Sequence, residues 1–396
     1  MNVALITDSF PPMVDGVSRC TLGYAKALHE GGYGSCIVVT PRFPKEKREY
    51  SFPVYNFSSA KLSYGEFRAG FPFMPKLISK IKSMNVDLLH VHSPFISMVI
   101  ARQLRYLLDV PIIYTQHTKW EYDIERVVYS KTLQKKLENF VYNNISTADE
   151  VWAVSDSTGK HLVSRGYEGS YLVMPNGTDF TKEKADPALL SQINNRFDIP
   201  AGVPVLLFVG RMMWYKNINL IIEALEILHA GSFDYRMIFV GDGEDLPEIK
   251  KMVEKKKLAH IIHFAGKIDS REELRAFYTC SDLLMFPSVY DNAPLVIREA
   301  AACFCPSLVV GNSSASEILE DGVTGFFAEE NSEDIANKCR VILSNHTILK
   351  TVAENASEQV YLTWNQVIEK SIERYKEVKE IYDRESMEST KKRKII

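Results

Sequence analysis

Short apolar runs alternate with longer stretches of helical period along most of this chain. In the first half, Val3–Thr7, Ser35–Val39, Leu88–Val91, Ile112–Thr115, Glu150–Val154 and Tyr171–Met174 read as buried strands. Between them, Ser18–Glu30, Pro75–Met84 and Lys131–Asn144 carry apolar positions at amphipathic helical spacing. Apolar strands separated by helices predict a parallel sheet with crossover helices. The polar stretch Thr181–Pro204, with Pro187 and Pro200, interrupts the pattern and reads as an interdomain linker. Strands then resume at Val205–Val209, Tyr235–Val240, Ile261–Ala265, Leu283–Phe286 and Ser307–Val310. Two doubly wound α/β domains are therefore expected, over 1–185 and 200–360. A last helical pattern, Tyr361–Asp383, has Trp364 near its start and apolar positions at Val367, Ile372 and Val378. That stripe must be buried, and packing back across the first domain is one way to bury it. The basic tail, 384–396, is expected to be disordered.

Composition narrows the function. At 396 residues the chain exceeds the size at which single cores stop growing, and 46% hydrophobic residues suffice for two cores. A net charge of -3 supplies no global basic field for nucleic acid. Of the six cysteines, Cys303 and Cys305 flank one phenylalanine, while Cys20, Cys36, Cys280 and Cys339 stand alone. That spacing favours reduced, buried thiols over a disulfide framework or a metal knuckle. The first residues, MNVALITDSF, read as a strand with no preceding basic or long apolar region, so no secretion signal is expected. No run reaches the roughly 18 to 20 apolar residues of a membrane span. The expected location is the cytoplasm, at most on a membrane surface.

In parallel sheets ligands bind beyond the carboxyl ends of the strands, so motifs at those ends matter most. Asp8–Arg19 follows the first strand, and Gly16 in it allows backbone amides to approach a phosphate; a plain loop fits equally well. It is not a dinucleotide fingerprint. His90 and His92 end one strand, and Thr115-Gln116-His117-Thr118 ends the next. Metal binding competes as a use for these imidazoles, but no acidic third ligand has proper spacing. His90 and His92 are equally consistent with satisfying backbone carbonyls. In the second half, Gly210-Arg211 follows a strand and Lys216-Asn217 opens the next helix, placing two cations at a candidate diphosphate site. Asp291 lies in the loop after Leu283–Phe286, and Glu299 lies in the helix behind it. Both can accept hydrogen bonds from sugar hydroxyls. The amides of Asn292, Ala293, Pro294, Leu295 and Val296 are read as a further phosphate-binding stretch, apart from the proline, which has no N–H.

Together these residues resemble a glycosyltransferase of the GT-B fold, family 4, whose members transfer sugars with retention of anomeric configuration. The resemblance spans almost the whole chain. It includes the Gly16 loop, His117, Pro175-Asn176-Gly177-Thr178-Asp179, Gly210-Arg211 with Lys216-Asn217, Gly241-Asp242-Gly243, Asp291–Glu299, and Ser316-Glu317 through Asp321–Phe326. It implies two Rossmann-like domains facing a cleft, with a C-terminal helix crossing back to the first. The donor would be a nucleotide-diphosphate sugar, UDP- or GDP-linked. Glu299 would bind its ribose and Arg211 and Lys216 its diphosphate. Asp291 would read the sugar, His117 would lie beside that sugar, and Gly16 would contact phosphate. His117, Arg211 and Lys216 are the candidate catalytic groups.

Three positions depart from the family pattern: Asp291 replaces a glutamate, Asn292-Ala293 a Gly-Phe pair, and Asp15-Gly16 a glycine pair. These bear on sugar identity. The chain contains no D-x-D, so neither metal nor cofactor is expected, and no buried nucleophile stands out, which favours front-face attack.

Phe57, Lys61, Tyr64, Phe67, Arg68, Phe71, Phe73, Lys76, Lys80 and Lys82 form an aromatic and cationic stretch suited to an anionic membrane, or to a loop packed on its own domain. The loop around Pro11-Pro12 and Asp15-Gly16-Val17, with His117-Thr118 and Tyr122, resembles the branch that glucosylates diacylglycerol or mannosylates phosphatidylinositol. A lipid acceptor is expected, with a soluble or polysaccharide acceptor as the alternative. A non-catalytic nucleotide-sugar binding protein is the rival from another class; it would lack His117.

Overall fold

The computed structural model describes residues 1–13, 15–43, 48–61, 68–71 and 75–393. Two compact units result, one of Met1–Gly177 with Trp364–Ile396, the other of Thr178–Thr363.

Unit 1 contains β1 (Val3–Ile6), β2 (Cys36–Pro41), β3 (Val54–Phe57), the short pair β4 (Ser59–Lys61) and β5 (Arg68–Gly70), β6 (Leu88–Val91), β7 (Ile112–Gln116), β8 (Glu150–Ala153) and β9 (Leu172–Val173). Its main sheet runs β3-β2-β1-β6-β7-β8-β9, all parallel, while β4 and β5 pair antiparallel. Strands β1, β2, β6 and β7 are buried at every position, as expected of a parallel sheet covered on both faces. The helices are α1 (Gly16–Glu30), α2 (Pro75–Lys82), α3 (Ile96–Leu108), α4 (Trp120–Val127), α5 (Lys131–Ile145) and α6 (Asp156–Ser164). Side-chain caps fix three starts: Asp15 accepts from the Ser18 amide, Ser130 from Leu133 and Ser155 from Thr158.

Unit 2 contains α7 (Pro187–Arg196), β10 (Val205–Val209), α8 (Ile218–Ala230), β11 (Arg236–Val240), α9 (Leu246–Lys255), β12 (Ile262–Gly266), α10 (Arg271–Thr279), β13 (Leu283–Phe286), α11 (Leu295–Ala302), β14 (Ser307–Val310), β15 (Phe326–Ala328), α12 (Ser332–Leu343) and α13 (His346–Gln359). Its parallel sheet runs β12-β11-β10-β13-β14-β15. In both sheets the order turns back after three strands, beside β1 in one and β10 in the other. Such a switch point opens a crevice at the carboxyl edge of a doubly wound sheet.

The stretch read as a linker is more ordered than its polarity predicts. Asp186 caps α7, Pro187 sits at its first turn, and Ile193 and Phe197 are buried in the unit 2 core. The final helix, α14 (Trp364–Arg393), continues ten residues past the Asp383 end expected from its apolar stripe. Arg374 pairs with Glu377, and Lys379 with Asp383 at 2.6 Å, which supports a helix whose outer face is polar. The stripe itself is buried in unit 1 at Trp364, Val367, Ile368, Ile372, Tyr375 and Val378. Gly23 of α1 makes that docking possible, because a Cβ there would lie 2.3 Å from the Trp364 indole.

Candidate active site

In unit 2 the loops leaving β10 and β13 lie side by side because those strands are neighbours. The first loop is held by its backbone. Gly210 N–H donates to Val240 O at 3.0 Å and Met212 N–H to Asp242 O at 3.0 Å. Gly241 has φ +136, and a Cβ on it would sit 1.9 Å from Gly210 O, so only glycine permits this approach. Asn217, in the left-handed region, donates from Nδ2 to Pro287 O at 3.0 Å and to Glu330 Oε1 at 2.9 Å, tying the two loops together.

These constraints bring Lys216 onto Asp291. The Lys216 Nζ donates to both Asp291 oxygens at 2.7 Å, with the amine buried to 7% exposure and 5.6 Å from the Phe286 ring centre. An ammonium has three N–H donors, so this pairing leaves one for a phosphate oxygen. Arg211 is exposed at the end of β10. Asn292 is buried, Ala293, Pro294, Leu295 and Val296 are half-buried, and α11 begins at Leu295. Pro294 at its N-cap brings no side-chain acceptor to the first-turn amides.

Glu299, about one turn along α11 and 2% exposed, forms a second group. Its Oε2 accepts from Tyr278 OH at 2.8 Å and its Oε1 from Arg271 Nη2 at 2.8 Å; Arg271 also binds Asp179. The Arg271 guanidinium lies 4.0 Å from the Phe180 ring centre. Burial opposes its charge, but Glu299 and Asp179 outweigh that and hold its pKa above the ordinary value. Burial, then Glu299, pushes the Tyr278 phenol well up, so it remains a donor. A carboxylate oxygen accepts more than one hydrogen bond, so Glu299 is of the chemical type that can also take hydroxyls. Arg271 and Tyr278 escape sequence reading, since α10 supplies them across a helix contact that no spacing encodes. Asp179 was visible only as part of the Asn-Gly-Thr-Asp segment.

At the matching edge of unit 1 the imidazoles are uncharged. His92 and His117 meet, Nδ1 to Nε2, at 2.9 Å. His90 turns inward, bonding Tyr375 OH and Thr115 Oγ1 at 2.6 Å each. Of the alternatives open for His90, packing is therefore realised, though with side-chain partners. Burial pushes the His117 pKa down to about 3, and burial with neighbouring imidazoles holds His90 and His92 well below their ordinary value. Asp8, after β1, accepts from Ser97 N–H at 3.2 Å at the start of α3, and burial raises its pKa to about 7.

Two further sequence features gain structural detail. Gly16 opens α1 with clear space beside it, but Asp15 already satisfies that helix start, accepting from Ser18 N–H at 2.8 Å and Ser9 Oγ at 2.5 Å. A phosphate approaching Gly16 would share that helix start with the Asp15 side chain. Within the aromatic and cationic stretch, Phe57 is fully buried and Lys80 Nζ lies 4.6 Å from the Tyr55 ring centre. The reason is that β3 places Phe57 against the unit 1 core. Phe71 is 57% exposed, Lys61 and Lys82 are exposed, and Arg68 bonds Ser59. Tyr64, Phe67 and Phe73, and the side chains of Lys76 and Tyr122, lie outside the described residues.

Residues 14–182 match the model for glycosyltransferase family 4, and residues 191–359 that for glycosyl transferases group 1. The two matches together cover most of both units. The chain is a GT-B glycosyltransferase. The transferase is 22% identical to an alpha-monoglucosyldiacylglycerol synthase of Acholeplasma laidlawii over 372 residues, 90% of this chain and 92% of that one. Its fold matches sucrose-phosphate synthase of Thermosynechococcus elongatus with TM-score 0.78 at 20% identity, covering 95% and 98% of the two chains. It also matches Anabaena HepE in complex with UDP, with TM-score 0.73 at 19% identity, covering 94% and 100%. No described helix is long and apolar enough to cross a membrane.

Proposed function

We propose that this transferase moves a hexose from a nucleotide-diphosphate sugar to a hydroxyl of a membrane lipid such as diacylglycerol, with retention at the anomeric carbon. The observation that carries the donor half is the buried Lys216 at the β10–β13 switch point, with one N–H left over after Asp291. Breaking the sugar–phosphate bond puts negative charge on the diphosphate and positive charge on the sugar ring. Lys216 and Arg211 would meet the first, and the Asp291 carboxylate would favour the second. Such preorganised groups cost no reorientation during the reaction. Glu299, oriented by Tyr278 and Arg271, would take the ribose hydroxyls. Protein cations at the diphosphate stand in for a divalent ion, so no metal is needed, and front-face attack fits a site with no nucleophile assigned.

UDP is the favoured nucleotide, since HepE is bound to UDP and the Acholeplasma synthase is a glucosyl enzyme by name. That synthase, together with exposed Phe71, Lys61 and Lys82, supports a lipid acceptor and a peripheral place on an anionic membrane. One observation favours a soluble acceptor instead: Phe57 and Lys80 of the same stretch are engaged within unit 1.

The test is a panel of UDP- and GDP-hexoses assayed for nucleotide release, with and without EDTA, then with diacylglycerol in anionic vesicles. One donor should be cleaved, undiminished by EDTA, and faster with the lipid, giving an α-linked product from an α-linked donor by proton NMR. Release that stops in EDTA would overturn the metal-free reading, and lipid without effect would leave the soluble acceptor.

A further inference from the structure

The two-residue period puts His90 of β6 and His92, just past its end, on the same side, and the structure uses them differently. Both nitrogens of His90 are engaged, by Tyr375 and Thr115, and its ring lies 4.1 Å from that of His92. Tyr24 packs edge-on against both rings at 5.2 Å. His92 is thus held in a fixed plane, its ring nearly parallel to that of His117.

Between His92 Nδ1 and His117 Nε2 there is one proton to place, because burial keeps both rings neutral. Were it on His117 Nε2, the His92 proton would sit on Nε2. That nitrogen is buried and meets no hydrogen-bond partner among the described residues. A buried donor left unmade bears its desolvation cost in full, and orphaned N–H groups are rarer in folded proteins than under-used acceptors. With the proton on His92 Nδ1, the unsatisfied atom is only a lone pair.

We propose that His92 is a positioning residue that fixes the tautomer of His117, donating from Nδ1 to His117 Nε2 and leaving the His117 proton on Nδ1. This rests on the reading that His117 contacts the donor sugar. The consequence is chemical. His117 presents an N–H to an oxygen acceptor, such as a sugar hydroxyl, and its single lone pair is occupied by His92. It binds and orients, and takes no proton from the acceptor.

Histidine tautomers are read directly from long-range proton–nitrogen spectra of the full chain labelled with 15N at histidine. Expected are protonated, pyrrole-type Nδ1 signals and bare, pyridine-type Nε2 signals for both His92 and His117, assigned with His92→Asn and His117→Asn. A protonated Nε2 on either ring overturns the proposal. Kinetics give an independent readout through acceptor-free hydrolysis of UDP-glucose. The Asn amide nitrogen overlays imidazole Nδ1, whereas the Gln amide overlays Nε2. His92→Asn should keep most of kcat, while His92→Gln and His92→Leu should lose about tenfold to a hundredfold in kcat with little change in KM. Equal loss in all three, with native circular dichroism, counts against it. If His117→Ala leaves hydrolysis unchanged, the sugar-contact reading falls, and the nitrogen spectra still decide the tautomer.

Discussion

The two sheets share one strand order and differ in what their carboxyl edges hold. At the β6–β7 edge of unit 1 stand three neutral imidazoles, and Asp8 after β1 ionises only near pH 7. At the β10–β13 edge of unit 2 stand full charges in pairs, Lys216 with Asp291 and Arg271 with Glu299 and Asp179. Topology makes the crevice in each case, and the loops decide its electrostatics. The charged edge suits a diphosphate, and the uncharged edge suits hydroxyl groups.

Lys216→Ala should erase most of that contrast. It removes the buried cation and leaves Asp291 facing the diphosphate, so kcat should fall about a hundredfold to a thousandfold. A loss under tenfold in donor hydrolysis would place the decisive cation elsewhere. Glu299→Ala acts on binding and leaves Arg271 and Tyr278 without their shared acceptor. UDP affinity by calorimetry should weaken about tenfold, or 1.4 kcal/mol, and unchanged affinity would remove the ribose assignment.

Acid should touch unit 1 more than unit 2. The imidazoles have folded pKa values below their ordinary 6.5, so the unfolded chain takes up protons that the folded unit refuses. Their contribution is whole above that value and is lost as pH falls, at roughly 1.4 kcal/mol per pH unit for each ring. Asp8, raised from 3.8 to about 7, runs the other way: its contribution is whole below 3.8 and is lost as pH rises toward 7. Three rings outweigh one carboxyl, so unit 1 should melt earlier at pH 5 than at pH 7. Trp120, Trp152 and Trp364 lie in unit 1 and only Trp214 in unit 2, so tryptophan emission follows the relevant transition. A melting point flat across this range would mean that the rings are not held neutral.

Much of the fold was legible because buried parallel strands announce themselves as apolar runs. Strands β3, β4, β5 and β15 were missed: only one position of β3 is fully buried, and β4, β5 and β15 are three residues long each. Polarity disguised α7, whose capping Asp186 and first-turn proline are themselves start signals. In the site, loop motifs after strands pointed to Lys216, Asp291 and Glu299. The Lys216–Asp291 pairing was not legible, because it spans 75 residues and depends on β10 lying next to β13. Likewise, nothing local separates His90 from His92; the difference comes from Tyr375, 285 residues away from His90.

That same tyrosine sets an order of assembly. Unit 2 is continuous and emerges from the ribosome complete, whereas the first 177 residues of unit 1 must wait for Trp364 and the helix behind it. Until then Tyr24, His90 and Trp152 line an unfilled slot. During synthesis the later half of this polypeptide is therefore free to close first, and the earlier half finishes only once the last helix has been made.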